Sequence, residues 1–571
     1  MTRQTRYGTQ LPRVRSEMTV IVVEPSGGLR GDIAPTNLPM GANPQFFSGA
    51  DQSQNMVFRN GGVQLRPLLS SHTSNSNPIG FVTGGAEIES SVASQFQVAS
   101  GTTRFAYYSA GSWSPLSYVS AFGNSAPPSI TTYERTKFVQ IYEPRVDNMI
   151  AVASVTSSYQ TLFSWQAGAT VFSALTSAPK ARWVDAFDNF LIGGNIRDSS
   201  GSKYVQRIQW SDRGNPSNWT TGLSGFQDLL DARGQIQQVA VQENRIIVFL
   251  DQEIWVGVRD AFPNIFRFSV LDRSVGTRFG MTVANTPAGV MFLGQDFMVY
   301  LLPKEGGAAV PVGQAIHANL QFLTLYGQGT NAAPWAVYDQ TLQVYQLYVP
   351  QGSIVDIANT RYDYHTTRGE WRYHALGDEE TVLEATIGWP ARHAPLTGGA
   401  ETWSSLSGIY TWATIPFTWQ QTLLTQGIVR PTTLVGLSSG SIAYYQDFGV
   451  VENVADGVAS SNLTVVGKWR SKELGGDNPE TLKCVTGFRV DYQNVTPSSS
   501  VSVRFIGQDP LAPIAHSSSI SLELTRTPQV GAQAFPYVAT QYPQFEVALA
   551  SPGVTLFRFW VSMRMGGRPN A

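Results

Sequence analysis

A catalytic or metal-binding reading has to start from six histidines and one cysteine. His72, His317, His365, His374, His393 and His516 are scattered, and no two share the close spacing that sets two imidazoles on one helix face for zinc. Isolated core or surface histidines are therefore expected. Cys484 is alone, so neither an intrachain disulfide nor a multi-cysteine metal site can form. Walker-type phosphate loops and Rossmann glycine fingerprints are absent from the sequence. Asp and Glu are frequent in turn-like segments, but no pair stands out as a glycosidase dyad. The stretch Ser211-Asp212-Arg213-Gly214-Asn215-Pro216-Ser217-Asn218-Trp219 invites comparison with the sialidase box S-x-D-x-G-x-T-W. Its Asp comes one residue early and its Trp late, and it occurs once. A structural turn is the better reading: Asp212 and Asn215 cap backbone N–H groups, Gly214 takes positive φ, and Trp219 packs beneath. No catalytic, cofactor-binding or metal-binding residue is assigned, no cofactor is expected, and the chain reads as a non-enzyme.

The charge balance narrows the partners. Among 571 residues, 39 Lys+Arg stand against 41 Asp+Glu, a net charge of −2, which excludes a strongly basic nucleic-acid binder. Only 14% of residues are charged, against about 25% in ordinary soluble domains. Ser, Thr, Gln, Asn and Gly must supply the polar surface, as in turn-rich β proteins that bury area in assemblies. Arg3, Arg6, Arg13 and Arg15 resemble a basic signal-peptide start, but the apolar run from Met18 to Val23 is too short for its core. No segment approaches the roughly 20 apolar residues of a membrane span. A soluble protein without a membrane anchor is expected.

Elements that could position such residues are strands. Between about Ser120 and Phe448 the chain alternates apolar and polar residues in short runs separated by Gly, Asn, Asp, Pro and Ser. Arg245–Leu250, Asp251-Gln252 and Glu253–Val258 read as strand, turn and strand. The segment Val290–Tyr300 repeats that pattern, with Phe249, Gln252 and Val256 matching Phe292, Gln295 and Val299 at an offset of 43. Further polar pairs run into apolar strands: Asp147-Asn148, Asp188-Asn189, Glu243-Asn244, Asp339-Gln340 and Gly440-Ser441. A period of about 40–50 residues is that of a β-propeller blade. Tryptophans 113, 165, 183, 210, 219, 255, 335, 371, 403, 412 and 419 suit packing between blades. An irregular pair of β-sandwiches is the alternative. The expected fold is all-β: a propeller of about six blades over residues 95–460, an extended N-terminal arm and docking region over 1–94, and a C-terminal antiparallel β-domain over 461–571. The last rests on runs at Val465–Ser471, Val485–Asn494, Val501–Gly507, Ile520–Thr525, Phe545–Ala550 and Phe557–Met565.

Several stretches carry a resemblance. Gly31-Asp32-Ile33-Ala34-Pro35, Leu38-Pro39, Asn55 to Gly61, and Gly101-Thr102-Thr103-Arg104 leading to Ser109–Trp113 look like the opening of podovirus-type phage tail proteins. Ala181 to Gly194, followed by Gln206 to Trp219, is the most specific part. It is similar to the tail nozzle, or packaged-DNA stabilisation, proteins of short-tailed bacteriophages. The resemblance covers roughly residues 28–300 by motif.

It implies a structural virion protein, made in the host bacterial cytoplasm and located in the tail. It implies a homohexameric ring below the portal, contact with head-to-tail adaptor proteins, tail fibres or spikes as further neighbours, and a DNA exit channel touched weakly and without sequence preference. The alternative is a host-surface carbohydrate-binding or glycan-cleaving propeller, which needs a carboxylate cleft or an arginine cluster. A generic propeller scaffold for protein partners is the third reading.

Overall fold

The computed structural model describes residues 18–23, 46–47, 50–59, 62–66, 68–71, 79–89, 95–109, 112–119, 130–132, 134–156, 159–175, 177–260, 264–321, 334–351, 357–376, 384–391, 432–446, 452–456, 459–463, 465–471, 474, 483–494, 498–508, 518–525, 532–534, 538–540, 542–550 and 554–565. Two compact units emerge, Arg66–Val465 and Met1–Leu65 with Val466–Ala571.

The larger unit is a β-propeller whose described residues form seven sheets. Blade one holds Val82–Glu89, Gln95–Gly101, Phe105–Ser109 and Ser112–Pro115. Blade two holds Thr136–Glu143, Asn148–Val155, Phe163–Gln166 and Val171–Ala174, with Ser117–Val119 added in parallel at its outer edge. Blade three runs Lys180–Phe187, Phe190–Arg197, Lys203–Trp210 and Gly225–Asp228. Blade four runs Ile236–Gln242, Arg245–Leu250, Ile254–Arg259 and Phe266–Asp272. Blade five is shorter: Ala284–Thr286, Gly289–Leu293, Val299–Pro303 and Val310–Pro311. Blade six has Trp335–Asp339, Val344–Val349, Thr360–His365 and Glu370–Ala375.

Blade seven is assembled from two distant parts of the chain. Ala385–Ala391, Thr432–Leu437 and Ile442–Gln446 come from the last part of the Arg66–Val465 unit, and Leu68–Ser71 from its beginning pairs antiparallel with the last of them. That N-terminal strand closes the ring, because its chain leads directly into blade one.

The turns explain why these segments fold as hairpins. A tight antiparallel turn needs left-handed backbone, which Asn, Asp and Gly adopt at least cost. Asp188 and Asn189 both have positive φ, 46° and 62°, between the first two strands of blade three. Asp147 and Glu243 take the same conformation at the matching turns of blades two and four. The repeated hairpins Arg245–Arg259 and Gly289–Pro303 lie in separate, consecutive blades, as their 43-residue offset predicts. Trp113, Trp165, Trp183, Trp210, Trp219, Trp255, Trp335 and Trp371 are all buried; positions 403, 412 and 419 lie outside the described residues.

The smaller unit is a two-sheet sandwich over one apolar core that includes Trp469, Phe488, Phe505, Phe545 and Phe559. Strands Lys483–Asn494, Ser498–Gln508, Ser518–Thr525, Tyr542–Leu549 and Val554–Met565 match the expected C-terminal runs closely. The N-terminal reading differs. Met18–Val23 pairs along its whole length with Val554–Met565, and Ala50–Gln54 pairs with Gly467–Ser471. Val23, Met56 and Val63 are in the core. These parts of the 1–94 region are strands of the C-terminal sandwich, because their apolar side chains find the core that the C-terminal strands leave uncovered. The propeller, in turn, includes Leu68–Ser71 and Val82–Glu89, ahead of the expected start at 95.

Candidate functional site: the polar hub and the seam between blades six and seven

The first strand of each blade faces the propeller axis, and polar side chains there join one blade to the next. Lys137 of blade two is the centre of this hub. Its ammonium donates to Asp185 Oδ2 in blade three at 3.3 Å, and in blade four to Gln238 Oε1 at 3.0 Å and the Val239 carbonyl at 2.6 Å. Asp185 Oδ2 also accepts the Val241 N–H at 3.1 Å. Gln238 Nε2 donates to the Gly280 carbonyl in the turn entering blade five, and the Tyr345 hydroxyl of blade six donates to Thr282 of the same turn. In the other direction, Thr83 and Thr136 share a hydroxyl bond between blades one and two. Trp389 of blade seven donates to Gln97 of blade one. With Thr433 donating to Asp339 across the remaining seam, hydrogen bonds cross all seven blade junctions.

Burial pushes the Lys137 ammonium below its ordinary range, with Asp185 opposing. All three of its hydrogens are matched by acceptors in other blades, so the group holds the ring together. It is not poised as a free base or nucleophile.

A second polar group lies within the seam between blades six and seven. Arg361 and Asp363, two apart on one strand and so on one face, form an ion pair with Nε 2.8 Å from Oδ1 and Nη2 3.0 Å from Oδ2. His374, opposite Arg361 in the neighbouring strand, brings Nε2 to 3.1 Å from Asp363 Oδ2. All three side chains are at most 2% exposed. Tyr445 of blade seven covers the Arg361 guanidinium at 4.3 Å and shares a 2.7 Å hydroxyl bond with Tyr348. Arg66, which leads into the closing strand, donates to the Ala375 carbonyl of blade six. Burial raises the Asp363 carboxyl, but Arg361 and His374 outweigh it and hold the group at about 2. Burial lowers the His374 imidazole to about 4 against the pull of Asp363.

The residues singled out in the sequence fall elsewhere. The turn at Ser211–Trp219 is structural, as expected: Asp212 Oδ1 accepts the N–H groups of Arg213 and Leu223, Gly214 has φ +66°, and Trp219 is buried with its indole donating to Pro216. Asn218, not Asn215, supplies the second cap, accepting from Thr220 and Thr221. His317 contacts the Asp296 carbonyl, His365 ends the strand carrying Asp363, and His72, His393 and His516 lie outside the described residues, as do the four N-terminal arginines. The sequence leads to the expectation that no G-x-S-x-G nucleophile elbow occurs, yet Gly436-Leu437-Ser438-Ser439-Gly440 spells that pattern. It forms a strand-to-strand turn in blade seven, not the strand-to-helix elbow that activates a serine. Lys137, Asp185, Arg361 and Asp363 were also missed. Their signal is a charged residue at alternate positions of a strand, which reads as a solvated face until the neighbouring blade is present. Among the described residues, no group of three or more His, Cys, Asp and Glu side chains could hold a metal ion, and no helix is long and apolar enough to cross a membrane.

No protein-family model matches the chain, nor does any curated protein sequence. Solved structures do match in strand arrangement. BamB from Moraxella catarrhalis is 10% identical with a TM-score of 0.31, covering 69% of this chain and 94% of that one. YCF48 from Cyanidioschyzon merolae is 9% identical with a TM-score of 0.34, covering 66% and 99%. An exo-beta-1,3-galactanase from Phanerochaete chrysosporium is 9% identical with a TM-score of 0.25, covering 78% and 98%. Likeness at this level carries nothing about activity. The fold of this chain is a β-propeller with an added β-sandwich.

Proposed function

We propose that this chain is a structural protein of a short-tailed phage tail, six copies of which form a nozzle ring that retains packaged DNA and passes it on ejection. The observation that carries the reading is the hub, where Lys137, Asp185 and Gln238 spend their polar groups on neighbouring blades. Such a propeller is a stiff scaffold, suited to a wall that must not deform. The sequence likeness at 181–219, which forms most of blade three, supports the same reading. So does the net charge of −2, since each phosphate neutralised by Lys or Arg would hold DNA that must slide. Identical subunits around an axis make head-to-tail contacts that close into a ring, and head-to-tail adaptor proteins are the expected neighbours above it. Fibres or spikes attach around it.

Particles assembled without this protein test the reading. They should package DNA and then lose it, and the protein should be found in purified virions by mass spectrometry. Stable retention of the genome without it would overturn the nozzle role. Cleavage of a host-surface polysaccharide by the purified chain would instead favour the glycan-directed alternative.

A further inference from the structure

The seven seams of the propeller are not built alike. Between blades four and five the core is apolar, with Ile247, Phe249, Ile254, Val290, Phe292 and Leu302 all buried together, and the charged groups that cross the seam, such as Lys304 with Glu243, lie at its exposed rim. Between blades six and seven, Arg361, Asp363 and His374 on one side meet Tyr445 and the Arg66 approach to the closing strand on the other. The buried core of that seam holds no titratable group. This one does, and it lies where the ring is joined by a strand from the far end of the chain.

We propose that the seam between blades six and seven is an acid-releasable closure, in which protonation of His374 beside Arg361 and Arg66 frees blade seven and its closing strand while the other blades stay packed. The geometry sets the sign. His374 faces Asp363 and Arg361 from the adjacent strand, with Arg66, Arg372, Tyr348 and Tyr445 around the same network. A second positive charge on the imidazole would share one carboxylate with Arg361. In the closed seam the imidazole takes its proton only near pH 4, whereas an exposed one takes it near its ordinary value of 6.5. The open seam therefore binds the proton first, and opening becomes easier as pH falls from 6.5 towards 4. Asp339 and Glu370 have carboxyls raised by burial, so their protonation favours the closed form and opposes this effect.

Hydrogen–deuterium exchange of the full chain tests the closure, with rates at each pH normalised to unfolded peptide. From pH 7.5 to pH 5, exchange of 68–71 and 432–446 should rise by about 30-fold from His374, the ratio for one histidine moving from 4 to 6.5; His365, lowered to about 4 by burial, Arg372 and Arg368, adds in the same sense only as far as opening exposes it. Segments 245–259 and 289–303 should change little. His374→Gln keeps a donor for Asp363 and cannot take the proton, so its seam should lose most of that rise. The wild-type pattern alone is decisive should the variant fail to fold. An even loss of protection across all blades, or an equal rise in H374Q, would overturn the proposal.

Discussion

Phe249 and Phe292 occupy equivalent positions in consecutive blades, and their ring centroids lie 5.0 Å apart at an interplanar angle of 58°. The sequence repeat at an offset of 43 therefore places its two matching aromatics in contact. Each is fully buried, so truncating either leaves a cavity that both blades border. Phe292→Ala is expected to cost about 3–5 kcal/mol, read as a lower midpoint in denaturant-induced unfolding of the propeller.

Asn189 combines a left-handed backbone, φ 62°, with a side-chain bond from the Tyr142 N–H of blade two. Asn189→Ala forfeits both and should destabilise by about 1–2 kcal/mol. Asn189→Gly restores the backbone freedom and should cost less. A loss in the glycine variant as large as that in the alanine variant would show that the bond to Tyr142 outweighs the turn.

At the hub, replacing Lys137 by Met removes the cation that Asp185, Gln238 and Val239 share. About 2 kcal/mol of destabilisation is expected, because Asp185, partly buried, then keeps its charge without its partner. The double variant Lys137→Met with Asp185→Leu should recover part of that loss. Thermal unfolding of the single and double variants measures the coupling.

Asp363 is held at about 2 by Arg361 and His374 against the opposing effect of burial. A carboxyl depressed below its unfolded value of 3.8 adds stability at neutral pH, and that contribution is lost as pH falls through 3.8 towards 2. Asp363→Asn should therefore destabilise by about 3–5 kcal/mol at pH 7. Its deficit against wild type should shrink below pH 4. Denaturation midpoints at pH 7, 4 and 3 check the trend.

For the nozzle reading, a truncation should remove residues 2–17 and stop there. Met18–Val23 is a full partner of Val554–Met565, so a longer deletion would damage the sandwich and confound the result. The short deletion should reduce incorporation into particles while leaving the unfolding transition in place. Purified full-length protein should show no duplex binding in a mobility-shift assay near physiological salt.

Much of the fold is legible because hairpins are local. Asp147, Asp188, Asn189 and Glu243 announce their turns by residue type, and the strands after them alternate cleanly. Turn spacing counted about six blades where the described residues form seven sheets. Blade seven joins Leu69 to Tyr445, and no local pattern links positions so far apart. The N-terminal strands look like an extended arm in the sequence for the same reason: Met18–Val23 is short and isolated among Gly and Pro, and only its distant partner makes it a strand. Lys137 and Arg361 look like surface residues on an alternating strand. Their burial comes from the next blade, which periodicity within one strand does not encode.

The join between Leu69 and Tyr445 also sets a timetable for synthesis. At 5–20 residues per second, roughly 20–75 s pass between emergence of the first partner and the last. Throughout that time Leu68–Ser71 has no sheet to join, and blade one has no seventh neighbour. The nascent chain must carry an open arc with a bare edge at each end, and the final hairpin to emerge converts it into a ring in one step.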